Sequence, residues 1–159
     1  MSLQHLSLAS GITLGSRIHV GSVTPWGTLL GSEEYEPEAR LLQDYETIGE
    51  MQEASSWKAS QYTNHMKYFG KYFNDIDVPM IRDYIKPYMY GFPTEVTVAE
   101  DGSYTAVKHM SMGRLAIELP YVMPDQKTAF ITDDGTNVLF AMYKADNAGR
   151  LAGLHAMEL

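Results

Sequence analysis

Residues 24–34 read TPWGTLLGSEE, a turn rich in Pro and Gly followed by an apolar run that ends on two adjacent carboxylates. The pattern predicts a short strand over residues 26–30 that leaves a proline turn. Trp26 is interpreted as a packing anchor for this turn. Glu33 and Glu34 stand at the far end of the predicted strand, where acids from separate loops can converge on a hard cation.

The same β-like pattern occurs on both sides of a middle region. Apolar residues alternate within residues 6–32, with glycines between the runs. The predicted strands after the middle region are flanked by turn residues and lie at 95–98, 104–109, 128–132, 138–144 and from Leu154 onward. Strand–turn–strand units that recur about every 40–45 residues favour β-propeller blades over a closed sandwich.

The middle region, residues 36–90, has helical spacing. One apolar stripe with 3,4 spacing runs from Leu41 to Met51, and an aromatic stripe begins at Trp57. The stripes predict a helical insertion around residues 38–75, with a cap at Ser55-Ser56 between two helices. The aromatic side chains are assigned to core or interface packing. Residues 76–90, which contain two prolines, fit either a helical turn or an extended lid.

Composition excludes several classes of function. The 159 residues suffice for one domain with a core, and a net charge of −8 argues against a basic face for nucleic acid. The absence of cysteine excludes disulfides, thiolate zinc sites and thiol nucleophiles. No apolar run approaches the ~20 residues of a membrane span, and the N-terminus lacks the pattern of a signal peptide.

Carboxylates on separate loops are the candidate metal ligands, because calcium prefers six to eight oxygen ligands. The candidates are Glu33, Glu34, Glu118, Asp133 and Asp134. The other reading of the Glu pair is a solvated strand end, and that of the Asp pair is turn capping. Glu118 lies in an apolar stretch, so a partner such as Arg114 or a metal is expected. Lys108 and Arg114 suit phosphate binding if they face the same opening.

Four segments resemble, in the same order, motifs of the PhoX-type alkaline phosphatases, a group of secreted β-propeller proteins. They are residues 23–34 (VTPWGTLLGSEE), 107–118 (VKHMSMGRLAIE), 130–137 (FITDDGTN) and 145–156 (ADNAGRLAGLHA). The likeness covers residues 19–34 and 91–159, and the helical stretch carries little of it.

The resemblance implies a six-bladed propeller whose central end holds calcium and iron ions that hydrolyse phosphomonoesters. By position, Glu34 and Glu118 match metal ligands of the family. His19 stands where the family has a cysteine that bridges the irons, so it becomes a candidate metal ligand with a different donor atom. Arg114 is the candidate substrate-binding residue.

These features predict a mainly β chain with partial propeller blades, residues 1–159 forming a single PhoX-like segment with residues 36–90 inserted. The predicted function is metal-dependent hydrolysis of phosphomonoesters after export to the periplasm or outside the cell. A segment with fewer than six blades is expected to self-associate or to join the remainder of a longer propeller. The alternative is a non-catalytic calcium-binding or structural module that acts in protein–protein interaction.

Overall fold

The structure is a computed structural model that describes residues 18–34, 36–72, 77–151 and 154–157. The strands predicted between residues 6 and 17 lie outside these ranges. The chain divides into two compact units. The strand unit comprises Met1–Glu34 and Gly91–Leu159, and the helical unit comprises Tyr35–Tyr90.

The strand unit is built from two four-stranded antiparallel sheets. The first sheet contains, in spatial order, β1 (Ile18–Val23), β2 (Leu29–Glu33), β3 (Thr94–Val98) and β4 (Tyr104–Lys108). The second contains β5 (Ile117–Val122), β6 (Thr128–Asp133), β7 (Phe140–Ala145) and β8 (Leu154–Met157). The prediction of a mainly β chain is confirmed, whereas the described residues show no closed propeller.

The two sheets meet where β1 and β2 contact β5. Leu30 of β2 is fully buried and belongs to the same apolar core as the inward side chains of the second sheet. The other members of this core are Met112, Ile117, Val122, Ala129, Ile131, Ala141, Tyr143, Ala145 and Leu151. Apolar burial therefore holds the ends of β2 and β5 close together.

The helical unit contains α1 (Ala39–Asp44), α2 (Ile48–Tyr68) and α3 (Val78–Tyr84). The predicted helices are present, but the stripe from Leu41 to Met51 is divided between α1 and α2. Thr47 and Glu50 form a capping box at the N-terminus of α2, so a new helix begins there. The first helix therefore ends at Asp44, earlier than the apolar spacing indicates. At Ser55 the backbone of α2 is non-helical, and the Ser55 hydroxyl accepts a hydrogen bond from the Lys58 amide.

Within residues 76–90, the segment that fitted two conformations, Val78–Tyr84 is helical, and Asp77 caps this helix by accepting a hydrogen bond from the Met80 amide at 2.7 Å. The unit has a core of its own, centred on the fully buried Met51, Tyr62, Met66 and Ile81. Among the described residues, no helix combines the length and the apolar character that crossing a membrane requires.

The TPWGT segment is a turn rather than the start of a strand, since β2 begins only at Leu29. Gly27 has a φ of 85°, a conformation that favours glycine, and its amide donates to the Thr24 carbonyl. The turn is fastened to Glu95 of β3. The Glu95 Oε1 accepts from the Trp26 indole at 2.7 Å and from the Thr28 hydroxyl, while Oε2 lies 2.8 Å from His109 Nε2.

These hydrogen bonds stabilise the charged form of Glu95. The bond from His109 is the largest contribution, with those from Thr28 and Trp26 adding to it, and the pKa of Glu95 falls from 4.5 to about 2. Because the folded pKa is the lower one, the carboxylate contributes stability above about pH 4.5. This contribution is lost as the pH falls from about 4.5 to about 2.

Replacing Glu95 by Gln is predicted to lower the free energy of unfolding at pH 7 by about 1–3 kcal/mol, because partly buried donors lose a charged acceptor. The variant should also lose the part of the pH dependence of stability between about pH 4.5 and 2 that Glu95 contributes, while the part from Asp125, whose pKa is also lowered to about 2, remains. Urea unfolding across this range measures both effects. Glu100→Gln, at an exposed turn residue, is the control. Equal pH dependence in Glu95→Gln and the wild type would contradict the assignment.

Candidate metal-binding site

Three carboxylates from three parts of the strand unit converge. Glu34 follows β2, Glu118 lies in β5 and Asp134 follows β6, and one oxygen of each lies within 4.8 Å of the other two. Glu34 is 2% exposed, whereas Asp134 is exposed. The three residues, called the carboxylate cluster below, thus have one buried side and one side open to solvent.

The end of the β5–β6 ladder sets the positions of Glu118 and Asp134. The pairing shifts register between Ile117 and Leu119, so Glu118 occupies an irregular position in β5. The Asp134 amide donates to the Ala116 carbonyl at 2.8 Å, which fastens the backbone beside the site. The ladder irregularity and this bond together bring an acid from each strand to the same end of the sheet.

The two adjacent aspartates have different roles. Asp133 Oδ1 accepts a hydrogen bond from the Ala116 amide at 3.0 Å, so it binds the segment that leads into β5 rather than an amide of its own turn. Asp134 instead joins the carboxylate cluster. Gly135 follows with a φ of 136°, and an added Cβ would lie 2.8 Å from a methyl of Val138. The turn therefore needs glycine directly after the aspartate that faces the cluster.

The two adjacent glutamates also differ. Glu33 is fully buried, and its Oε1 lies 2.7 Å from the Lys108 ammonium. Its Oε2 accepts hydrogen bonds from the amides of Gly91 and Phe92. Glu33 therefore has cationic and amide partners inside the strand unit, and only Glu34 belongs to the cluster.

Ser32 connects the first sheet to the cluster. It is fully buried, and its hydroxyl lies 2.8 Å from the Val20 carbonyl and 3.2 Å from the Glu118 carbonyl. A second hydroxyl, that of Ser22, donates to the Pro120 carbonyl at 2.7 Å. Serines from β1 and β2 thus bind the backbone of β5 at Pro120 and Glu118, which holds Glu34 near Glu118.

The other predicted site residues are His19, Arg114 and Lys108. His19 lies in β1, and its side chain is outside the described part of the chain. Arg114 lies between β4 and β5, four residues before Glu118, and its Nε is buried. Lys108, a candidate for phosphate, is paired with Glu33 and only 6% exposed. Of the predicted ligands, the structure brings Glu34 and Glu118 together.

Asp134 was one of the carboxylate candidates from the residue pattern, but the ligand set implied by the resemblance, Glu34, Glu118 and His19, leaves it out. The sequence signal for it is the Asp-Asp-Gly turn, in which one acid can cap the turn while the other remains available. The cluster offers only carboxylate oxygens, the donor type that calcium prefers. The described donors, one carboxylate oxygen from each residue, therefore fit a hard cation.

Comparison with protein families gives a match to the family model described as alkaline phosphatase PhoX, over residues 20–151. The matched range contains all three members of the carboxylate cluster. No curated protein and no solved structure matches the chain. Since the family model covers most of the sequence, the chain belongs to the alkaline phosphatase PhoX family.

Proposed function

We propose that the chain is a metal-dependent phosphomonoesterase domain in which Glu34, Glu118 and Asp134 hold the cation. The observation that carries the proposal is the convergence of these three carboxylates, within 4.8 Å of one another, in a chain of an alkaline phosphatase family. Phosphoryl transfer requires mainly positioning and charge stabilisation, so a rigid site for a cation is the main requirement.

Calcium is the cation that the cluster fits best, because all of its described donors are hard oxygens. Iron is proposed as a second ion, with His19 as a nitrogen ligand in place of the bridging cysteine of the family. When bound, a cation at the cluster would withdraw negative charge from the phosphoryl oxygens of a substrate.

The protein's own residues hold and orient the substrate. Arg114 is the proposed phosphate-binding residue, since its guanidinium can donate two parallel hydrogen bonds to a phosphate. It lies in the segment that leads into β5 and so into Glu118. Lys108 is not proposed for phosphate binding, because its ammonium is paired with the Glu33 carboxylate in the interior of the strand unit.

Each sheet has the composition of a propeller blade, four antiparallel strands that are adjacent in the order of the chain. We therefore propose that residues 1–159 form a propeller segment in which residues 36–90 are inserted between β2 and β3 of one blade. The partners expected for such a segment are further blades or other copies of the chain. Membership of the family supports export to the periplasm or the exterior of the cell.

Removal of any cluster carboxylate is predicted to weaken calcium binding on the order of tenfold or more, because ligand charge count sets the affinity of such sites. The variants are Glu34→Gln, Glu118→Gln and Asp134→Asn, with Glu100→Gln as a control at an exposed acid outside the cluster. Calorimetric titration of the dialysed protein measures calcium, and elemental analysis measures iron. Unchanged calcium affinity in all three variants would contradict the proposed site.

The purified chain with calcium and iron is predicted to hydrolyse p-nitrophenyl phosphate. Arg114→Lys should raise KM roughly tenfold, equivalent to about 1.4 kcal/mol, because a paired hydrogen-bond donor is lost. Arg40→Lys, in the helical unit, is the matched control. A chain that binds calcium but hydrolyses no phosphomonoester would favour the non-catalytic calcium-binding module instead.

A further inference from the structure

A buried ion pair of the strand unit, formed by Glu33 and Lys108, lies directly beside the carboxylate cluster. The side chain of Glu33 is 0% exposed and that of Lys108 is 6% exposed. The Lys108 ammonium lies 2.7 Å from Glu33 Oε1, and the amides of Gly91 and Phe92 donate to Oε2 at 3.0 and 3.2 Å. The four residues Glu33, Lys108, Gly91 and Phe92 are called the Glu33 clasp below.

The clasp fixes the point at which the chain leaves and re-enters the strand unit. The chain leaves this unit after Glu34 and returns at Gly91. Glu33, the last residue of β2, therefore binds the two residues with which the returning chain begins. Lys108, the last residue of β4, closes the clasp from the other side of β3.

Contacts on both faces hold the end of β2 beside the cluster. Successive side chains of a strand point to opposite faces, so Ser32 and Glu33, the last two residues of β2, lie on opposite faces. Ser32 contacts the backbone of Glu118 on the cluster side. The backbone that carries Glu34 is consequently held by Ser32 on one face and by Glu33 on the other.

A buried ion pair is weak evidence of added stability, because desolvation of both charges offsets their attraction. A neutral pair of similar shape would stabilise the fold equally well, so the ion pair is expected to have a role other than stability. Residues behind a metal ligand fix its orientation, and their loss commonly lowers metal affinity by 10–100-fold. The clasp has the location that such support requires, one residue from Glu34.

We propose that the Glu33 clasp positions the Glu34 carboxylate for the cation, which makes Glu33 and Lys108 positioning residues of the site. The inference rests on the proposed function, since it concerns the same cation. Oε1 is held by a cation and Oε2 by two amides, so the Glu33 side chain cannot rotate without breaking one set of contacts. The strand end is thereby held in one orientation.

Substitutions in the clasp distinguish positioning from a simple effect of charge. If only charge mattered, Glu33→Gln would leave an extra positive charge and weaken cation binding, whereas Lys108→Met would leave an extra negative charge and strengthen it. The double variant would then bind as the wild type does, because the pair is neutral. Positioning predicts instead that all three variants bind calcium 10–100-fold more weakly.

The experiment measures calcium affinity by calorimetric titration of the full chain, together with amide hydrogen exchange of the calcium-free protein. The double variant Glu33→Gln/Lys108→Met retains the shape of both side chains without a buried unpaired charge, so it tests the inference even if a single variant fails to fold. Faster exchange of the Gly91 and Phe92 amides is expected in Glu33→Gln and in the double variant, because their acceptor is no longer fixed.

Glu95→Gln is the matched control, because it also neutralises a hydrogen-bonded carboxylate of the first sheet. It should lower stability and leave calcium affinity within about twofold of the wild type. A double variant that binds calcium as tightly as the wild type would overturn the inference while leaving the proposed function intact. A wild-type chain that binds no calcium would overturn both.

Discussion

Three carboxylates held within 4.8 Å of one another repel, and this repulsion is the physical constraint around which the end of β2 is organised. Glu34 is nearly inaccessible to water, so screening by solvent acts mainly at the open side of the cluster, where Asp134 is exposed. A cation in the cluster would replace the repulsion by attraction. Without one, the contacts around the acids hold them together against it.

The surrounding contacts supply that rigidity. Apolar burial brings the sheets together at Leu30, and the hydroxyls of Ser22 and Ser32 fasten β1 and β2 to the backbone of β5. Behind the cluster, Glu33 binds Lys108 and the returning chain. These contacts all lie inside the strand unit, so the geometry of the cluster follows from the sheets themselves.

Local sequence signals predicted much of the fold. The hairpin of β3 and β4 followed from its turn residues, and the helices between β2 and β3 followed from apolar spacing. The strand β5 had no such signal, because Pro120 interrupts its pattern. Pro120 is tolerated there because β5 lies at the edge of the second sheet. The closed propeller remains a prediction.

The site was predictable only in part. Glu34 and Glu118 were identified by position within motifs, whereas residue type and spacing alone left open which acid of each pair joins the carboxylate cluster. That choice depends on strand register, which places Glu33 beside Lys108, and on the turn geometry that gives Asp133 to the Ala116 amide.

A crystal structure of the chain grown with terbium, a calcium analogue detectable by anomalous scattering, would locate the cation site. We expect an anomalous peak at about 2.3–2.6 Å from oxygens of Glu34, Glu118 and Asp134. A peak bound elsewhere on the chain, with none among these three carboxylates, would contradict the proposed site.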